Sequence, residues 1–168
     1  TAALNRYLST GDPFSGSTDE RSSGNGSLMR LAPIALFYRR TPDDLLKYAA
    51  LSPQTTHASA ECLDSCRYFA ALLVTALSAH SKEQILATPY QADTSKLEAI
   101  VSGDFLRKDY SQLIGSGYVI ESLEAALWCF VRSSSFKEAI LLAANLGNDA
   151  DTTAAICGQL AGAYYGYD

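Results

Sequence analysis

Two carboxylates and a hydroxyl lie close together near the end of the chain, just after a helix-breaking glycine. They belong to Asp149, Asp151 and Thr152, and the glycine is Gly147. Their oxygen ligands suit Mg²⁺, Mn²⁺ or Ca²⁺ rather than zinc. Residues two apart in a regular helix point to different faces, so both aspartates can share an ion only where the backbone is irregular, as Gly147 permits. Alternatively, Asp149 caps a helix and Asp151 favours its macrodipole without any metal.

A second polar segment, near the start of the chain, is suited to holding a phosphate or a ribose. It places Gly24, Asn25, Gly26 and Ser27 immediately before an apolar run. Glycines let backbone N–H groups approach a ligand closely, and a following helix N-terminus favours phosphate. The alternative is a plain loop with a serine N-cap. The segment has neither the lysine of a P-loop nor the preceding strand of a dinucleotide fingerprint.

Together, in this order, the two segments resemble the ADP-ribosylglycohydrolase family, and most of all its bacterial dinitrogenase reductase-activating type. Further matching segments are GDPF at 11–14, THAS at 56–59, GYV at 117–119, LEAALW at 123–128 and AGAYYG at 161–166. The resemblance implies an all-α, compact orthogonal multi-helix domain. It also implies two Mg²⁺ or Mn²⁺ ions and a hydrolase that removes ADP-ribose from a modified side chain or a small molecule.

Three family segments have no counterpart here: Gly-Asp-Ala-x-Gly, Thr-Asp-Asp and Asp-Ile-Gly-Asn. The run Thr41-Pro42-Asp43-Asp44 is interpreted as an ordinary helix start, because proline is favoured at the first helical position. We therefore expect residues 1–168 to be the C-terminal portion of a single domain that lacks its N-terminal helices. The missing segment is then an expected partner, and the chain alone is expected to be nearly inactive.

The resemblance also implies roles for individual residues. Asp149, Asp151 and Thr152 are expected to hold the metals, and no general acid or base is assigned. The expected ADP-ribose ligands are Ser23, Gly24, Asn25, Gly26, Ser27, Met29, His57 and Tyr118.

Several of these assignments have structural alternatives. His57 would donate to a diphosphate or ribose oxygen, or else be an exposed or locally capped histidine. Tyr118 would stack on adenine or bind a ribose hydroxyl, or else be a half-buried aromatic among ten tyrosines. Asn25 can both donate and accept, and Arg30 is either a phosphate clamp or a structural ion-pair partner.

Composition narrows the class of protein. The chain has 168 residues, is 48% hydrophobic and carries a formal net charge of −5. The absence of a basic patch argues against nucleic-acid binding, and no apolar run is long enough for a membrane span. The four cysteines fit no zinc pattern and are expected to be buried and reduced. These features favour a cytoplasmic protein.

Hydrophobic periodicity predicts helices throughout, without strand-length alternation. Helices are predicted at 28–40, 42–51, 57–79, 95–101, 139–144 and 153–165, and Cys129 is placed in a further apolar helical run. Capping boxes are predicted to begin at Ser81 and Ser135.

Two functions other than ADP-ribose hydrolysis would require different residues. A non-catalytic ADP-ribose-binding or crystallin-like structural protein of the same fold would lack a complete metal site. An unrelated calcium-binding helical module would need an EF-hand loop with its terminal glutamate, and none follows Asp149.

Overall fold

The computed structural model describes residues 2–166, and this part of the chain is built from α-helices and short 3-10 turns. The helices are α1 (Ala2–Thr10), α2 (Gly26–Met29), α3 (Ala32–Tyr38), α4 (Pro42–Gln54), α5 (Ala60–Ala76), α6 (Lys82–Leu86), α7 (Ser95–Val101), α8 (Val119–Arg132), α9 (Phe136–Ala144) and α10 (Ala150–Tyr165). Within 2–166 extended pairing is limited to isolated bridges, Ser17 with His57 and Gly24 with Tyr118. The predicted all-α fold is confirmed.

Helix α5 lies at the centre of the core. It packs against α2, α3, α4, α6, α7, α8 and α10, and its buried residues lie on more than one face. Helices α8 and α10 pack together beside it, so aromatic and aliphatic side chains from all three fill one interior. Fully buried members include Phe69, Leu72, Leu127, Phe130 and Ile156. No helix in residues 2–166 is both long and apolar enough to cross a bilayer.

The predicted single helix at 28–40 is wrong, because the chain forms two helices separated at Arg30 and Leu31. Pro33 lacks an N–H and occupies the first turn of α3, where no intrahelical donor is needed. The side chain of Gln159 on α10 bridges the break. Its Oε1 accepts from Ala32 N at 2.8 Å, and its Nε2 donates to Leu28 O at 3.0 Å.

The predicted helix at 57–79 begins later than expected. Ser59 is the N-cap of α5, and its hydroxyl accepts from Cys62 N at 3.3 Å. His57 therefore lies in the turn between α4 and α5, not in a helix. The N-caps at Ser81 and Ser135 are confirmed, but the returning Gln84 and Glu138 side chains accept from the residue before each cap.

Helix α1 was not predicted from the sequence, and it contributes no buried side chain. All four cysteines are buried and unpaired, as predicted. Burial raises the pKa of both Cys66 and Cys129 to about 12, so these thiols stay protonated at neutral pH.

Candidate active site

The N-termini of several helices lie close together. The Ser23 and Ser59 hydroxyls are 2.8 Å apart, which joins the segment before α2 to the start of α5. Asn25 N donates to Gly117 O at 2.9 Å, next to the start of α8, and Asp149 N donates to Gly115 O at 2.7 Å, at the start of α10. The partial positive charges of these helix ends favour a negatively charged group nearby.

Asn25 and Asp149 connect the two polar segments that the sequence placed far apart. Asn25 Nδ2 donates to Asp149 Oδ2 at 2.6 Å, and 124 positions separate the two residues. The same amide nitrogen lies 2.8 Å from Ser122 Oγ and 3.2 Å from Ser116 O. Because Asn25 is 6% exposed and its amide hydrogens face these acceptors, the side chain orients the carboxylate and is not an open donor for a ligand.

The structure contradicts the simple capping interpretation of Asp149. This residue is the N-cap of α10, but its side chain makes no capping hydrogen bond to the backbone. Its Oδ1 instead accepts from Thr152 Oγ1 at 3.1 Å. The backbone before it is irregular, because Gly147 and Asn148 both have positive φ, 77° and 55°. That irregularity is the condition under which Asp149 and Asp151 could face one ion.

The donor set has the chemistry that Mg²⁺ and Mn²⁺ prefer, but it fills only part of a coordination shell. Asp149 and Thr152 are half-buried and Asp151 is exposed, and all three offer oxygen ligands. Within residues 2–166 no group of three or more histidine, cysteine or acidic side chains is placed to hold a metal ion. An octahedral ion bound here would therefore need further ligands from elsewhere.

His57 packs directly against the glycine loop. A Cβ atom at Gly24 would lie 2.7 Å from His57 Nε2, which is closer than side chains tolerate, whereas one at Gly26 would lie 3.5 Å from His57 Cε1. A side chain at position 24 would therefore force the imidazole to move. The pKa of His57 is lowered, first by burial and then by the positive charge of Arg30, so the ring is neutral near pH 7.

Tyr118 is held at the cleft by an ion pair that the sequence did not reveal. Its hydroxyl donates to Glu61 Oε2 at 2.7 Å and lies 2.7 Å from Lys96 Nζ. Lys96 Nζ is also 3.0 Å from Glu61 Oε1. Burial acts to raise the pKa of Glu61, but the hydrogen bonds from Tyr118 and Lys96 outweigh it and the net pKa is lowered. The carboxylate therefore stays charged at neutral pH.

Two open clefts flank the loop. One, of about 540 Å³, is lined by Glu20, Arg21, Ser22, Ser23, Gly24, Gly117 and Tyr118. The other, of about 490 Å³, is lined by α1 together with Ser17, Ser22, Thr56 and His57. Ser22 belongs to both linings, so the clefts adjoin. A separate cavity of about 250 Å³ between α3, α5 and α10 is lined by apolar side chains and Gln159, without a charged group.

Three of the predicted ADP-ribose ligands are less well placed than the others to contact a molecule bound in the clefts. Ser27 is fully buried, with its hydroxyl 3.3 Å from Gly24 O. The Ser23 hydroxyl donates to Glu20 O at 2.6 Å and also contacts Ser59. Met29 is 49% exposed and lines neither cleft. Ser23 and Ser27 can therefore shape the loop, while Gly24, His57 and Tyr118 line the clefts and Gly26 lies beside the His57 ring.

The family model described as ADP-ribosylglycohydrolase matches residues 1–168. The chain belongs to the ADP-ribosylglycohydrolase family. The resemblance inferred from the two polar segments is therefore confirmed. The segments are the ones that Asn25 and Asp149 join in the structure.

Relatives of this ADP-ribosylglycohydrolase chain include proteins that are named as hydrolases. The chain is 41% identical over 164 residues to the ADP-ribosylarginine hydrolase of Pseudomonas putida, covering 98% of the chain and 44% of that protein. It is 29% identical over 172 residues to the ADP-ribosyl-[dinitrogen reductase] glycohydrolase of Rhodospirillum rubrum, covering 98% of the chain and 53% of that protein. The chain thus spans about half the length of these relatives.

A solved structure shares the fold. It is described as an ADP-ribosylglycohydrolase-related protein complex, with a TM-score of 0.88 and 47% sequence identity. The match covers 98% of this chain and 57% of that one. The helical arrangement is therefore that of the ADP-ribosylglycohydrolase fold.

Sequence reasoning missed the residues that support the site. Glu61, Lys96, Ser116 and Ser122 lie on different elements from the loop, and none belongs to a short motif. Glu61 did carry a signal, since it is an acidic residue in the first turn of an otherwise apolar helix. That position is equally typical of a residue that favours the helix dipole.

Proposed function

We propose that this chain supplies the ADP-ribose-binding loop and one half of the metal site of an ADP-ribosyl hydrolase. The enzyme would remove ADP-ribose from a modified side chain or a small molecule. The observation that supports this proposal most strongly is the 2.6 Å contact between Asn25 Nδ2 and Asp149 Oδ2. It joins the glycine loop to the cluster of oxygen ligands, so one ligand could reach both.

Different residues around the clefts would contact different parts of ADP-ribose. The Gly24–Gly26 backbone allows close approach of a diphosphate, and the adjacent helix N-termini favour its negative charge. His57, neutral at pH 7, can donate to an oxygen of the ligand. The Tyr118 ring, with its hydroxyl fixed by Glu61 and Lys96, can stack on the adenine.

Asp149, Asp151 and Thr152 would hold Mg²⁺ or Mn²⁺, which when bound positions ribose hydroxyls and a water molecule. Cleavage at the anomeric carbon passes through an oxocarbenium-like state, and Asp149 is oriented for its task by Asn25. The carboxylate nearest the leaving group is assigned to no residue of this chain. Arginine-linked ADP-ribose is the first substrate to test, because the Pseudomonas putida relative is named for it.

Calorimetry with Mn²⁺ and ADP-ribose tests the assignment of the metal residues. Asp149→Asn keeps an acceptor for Asn25 but removes the charge, so we expect at least tenfold weaker Mn²⁺ binding than in the wild type. Asp43→Asn is the matched control, because Asp43 is an exposed acidic residue near the start of a different helix, α4. Equal Mn²⁺ affinity in all three proteins would remove Asp149 from the metal site.

The same titration, together with a hydrolysis assay, distinguishes the hydrolase from a non-catalytic binding protein. We expect weak Mn²⁺ binding by the chain alone and tighter binding when it is joined to a segment carrying the family's Thr-Asp-Asp sequence. Hydrolysis of ADP-ribosylarginine should then appear only in the joined protein. If that protein binds ADP-ribose but never cleaves the substrate, the non-catalytic binding role replaces the hydrolase.

A further inference from the structure

The imidazole of His57 has two different surroundings at its two nitrogens. Nδ1 lies 2.8 Å from Thr56 Oγ1. The Nε2 edge faces the loop, where it approaches Gly24 so closely that a Cβ atom there would be 2.7 Å away. The ring is half-buried and lines the cleft beside α1. Only the Nε2 side of the ring therefore points toward the loop that would hold a ligand.

The hydroxyl of Thr56 is also bonded to Arg30. Arg30 Nη2 donates to Thr56 Oγ1 at 2.7 Å. The guanidinium is held in place by Thr55 Oγ1 at 3.2 Å and Ser52 O at 3.3 Å. A guanidinium has donors and no acceptor, so the Thr56 oxygen must be the acceptor in this contact.

That arrangement favours donation of the single hydroxyl proton of Thr56 to His57, because a hydroxyl that accepts a hydrogen bond from a cation becomes a stronger donor and a weaker acceptor for a second N–H. With its oxygen accepting from Arg30, Thr56 Oγ1 has its own hydrogen available for His57 Nδ1. A ring nitrogen that accepts this hydrogen bond carries no proton, so in this arrangement the proton of the neutral imidazole resides on Nε2. The positive charge of Arg30 adds to burial in keeping the pKa of the ring low, so the ring remains neutral.

We propose that Arg30 and Thr56 are positioning residues that hold His57 as the Nε2–H tautomer, which presents an N–H donor to an ADP-ribose oxygen at the Gly24–Gly26 loop. This inference rests on the proposed function for its ligand, but its hydrogen-bond relay stands on the chain's own geometry. His57 is then a fixed neutral donor, neither a general base nor a cationic clamp.

Nitrogen-15 NMR of the imidazole rings at neutral pH tests the tautomer directly. His57 should show a protonated Nε2 and an unprotonated Nδ1, and His80→Gln removes the signals of the other histidine for assignment. Thr56→Val should shift the ring away from the pure Nε2–H form, and Thr56→Ser should restore it. Thr55→Val is the matched control, because that hydroxyl contacts Arg30 but makes no contact with His57. A wild-type ring protonated at Nδ1 would overturn the proposal.

Calorimetric titration with ADP-ribose then tests the consequence. We expect Thr56→Val and Arg30→Gln to weaken ADP-ribose binding about tenfold, with wild-type affinity in Thr56→Ser and Thr55→Val. Thermal unfolding of each variant shows whether the fold is intact. Unchanged affinity in a Thr56→Val protein whose tautomer has shifted would overturn the proposed role of the relay. If the wild type has the expected tautomer but does not bind ADP-ribose, the proposed function fails and the relay itself stands.

Discussion

Asn25 illustrates how a residue with the right chemistry can act one step away from the ligand. Its amide was expected to contact ADP-ribose directly, yet its hydrogens face Asp149, Ser122 and Ser116. A donor that already has protein acceptors gains little from a ligand oxygen. The charge-assisted bond to Asp149 does fix the direction of that carboxylate. Asn25 is therefore better described as a support for the Asp149 carboxylate.

The contact between Gly24 and His57 predicts a contrast between neighbouring glycines. Gly24→Ala should weaken ADP-ribose binding at least tenfold, because its Cβ atom would meet His57 Nε2 at 2.7 Å and displace the ring. Gly26→Ala should bind nearly as the wild type does, because its Cβ atom would be 3.5 Å from His57, an ordinary contact. Titration of both variants checks this, and equal affinities would show that the imidazole position does not matter for binding.

The lowered pKa of Glu61 predicts that the free energy of unfolding depends on pH. Its folded pKa is lowered by Tyr118 and Lys96 against the effect of burial, so its stabilisation is present above its unfolded pKa and is lost as the pH falls through the folded value. Glu61→Gln should therefore lower the unfolding free energy by about 1 kcal/mol at pH 7. Relative to the wild type, that deficit should shrink as the pH falls below the unfolded pKa of a glutamate, about 4.3, and disappear below the lower folded pKa.

Urea unfolding across this pH range measures the effect of Glu61. Glu98→Gln is the control, because Glu98 is exposed on α7 and lies outside the Tyr118 cluster. A deficit in Glu61→Gln that is the same at every pH would mean that packing, and not ionisation, explains the contribution of Glu61.

At the level of helices, sequence reasoning succeeded where the signal is local. The short helix Ser95–Val101 and the N-caps at Ser81 and Ser135 are where the pattern placed them. These depend on hydrogen bonds between residues three or four apart, which a sequence window contains. Pro33 also carried a local signal for the start of α3, but a continuous apolar pattern masked it.

Long-range contacts explain the remaining differences. The break between α2 and α3 is stabilised by Gln159, which is 131 positions from Leu28. Tyr118 is held by Glu61, which is 57 positions away. No residue near Gln159 or Tyr118 in the sequence indicates such a distant partner. The two polar segments of the site were recognised from their residue types, whereas the contact between Asn25 and Asp149 and its supporting hydroxyls required the fold.

The two hydrogen bonds of the Gln159 side chain predict that its substitution lowers the free energy of unfolding. Gln159→Ala should cost about 1–2 kcal/mol, because Leu28 O and Ala32 N lose their side-chain partner at the helix break. Gln159→Glu keeps an acceptor for Ala32 N but places a carboxylate oxygen against Leu28 O, so its loss should be larger. Denaturant unfolding of both variants checks the order, and a smaller loss in Gln159→Glu would show that the contact with Leu28 O contributes little.

At the scale of the whole molecule, α1 differs from the other helices in the part of the chain that the structure describes. It buries no side chain, and Leu4, Tyr7 and Leu8 are 58%, 47% and 73% exposed. Clustered apolar side chains on a surface favour association with another protein surface. We therefore expect light scattering to show self-association of the chain that weakens in a Leu4→Ser, Leu8→Ser double variant. A monodisperse monomer in both cases would contradict this expectation.

The same feature predicts that α1 contributes little to folding. Removing residues 1–10 should change the unfolding free energy by less than about 1 kcal/mol, because the deletion exposes little apolar area. Leu45→Ala gives the scale for a core change, since Leu45 is 5% exposed and its truncation should cost about 2–5 kcal/mol. A comparable loss on deletion would mean that α1 packs more tightly than its exposure indicates.

The separation of Asn25 and Asp149 also has a consequence for biosynthesis. A ribosome adds about 5–20 residues per second, so the 124 positions between them correspond to a delay of about 6–25 s. During that interval the glycine loop exists without the carboxylate that it orients, and its amide is left to water. The two polar segments can therefore meet only after Asp149 has been translated, and a nascent chain that stalls before α10 carries the loop but no site.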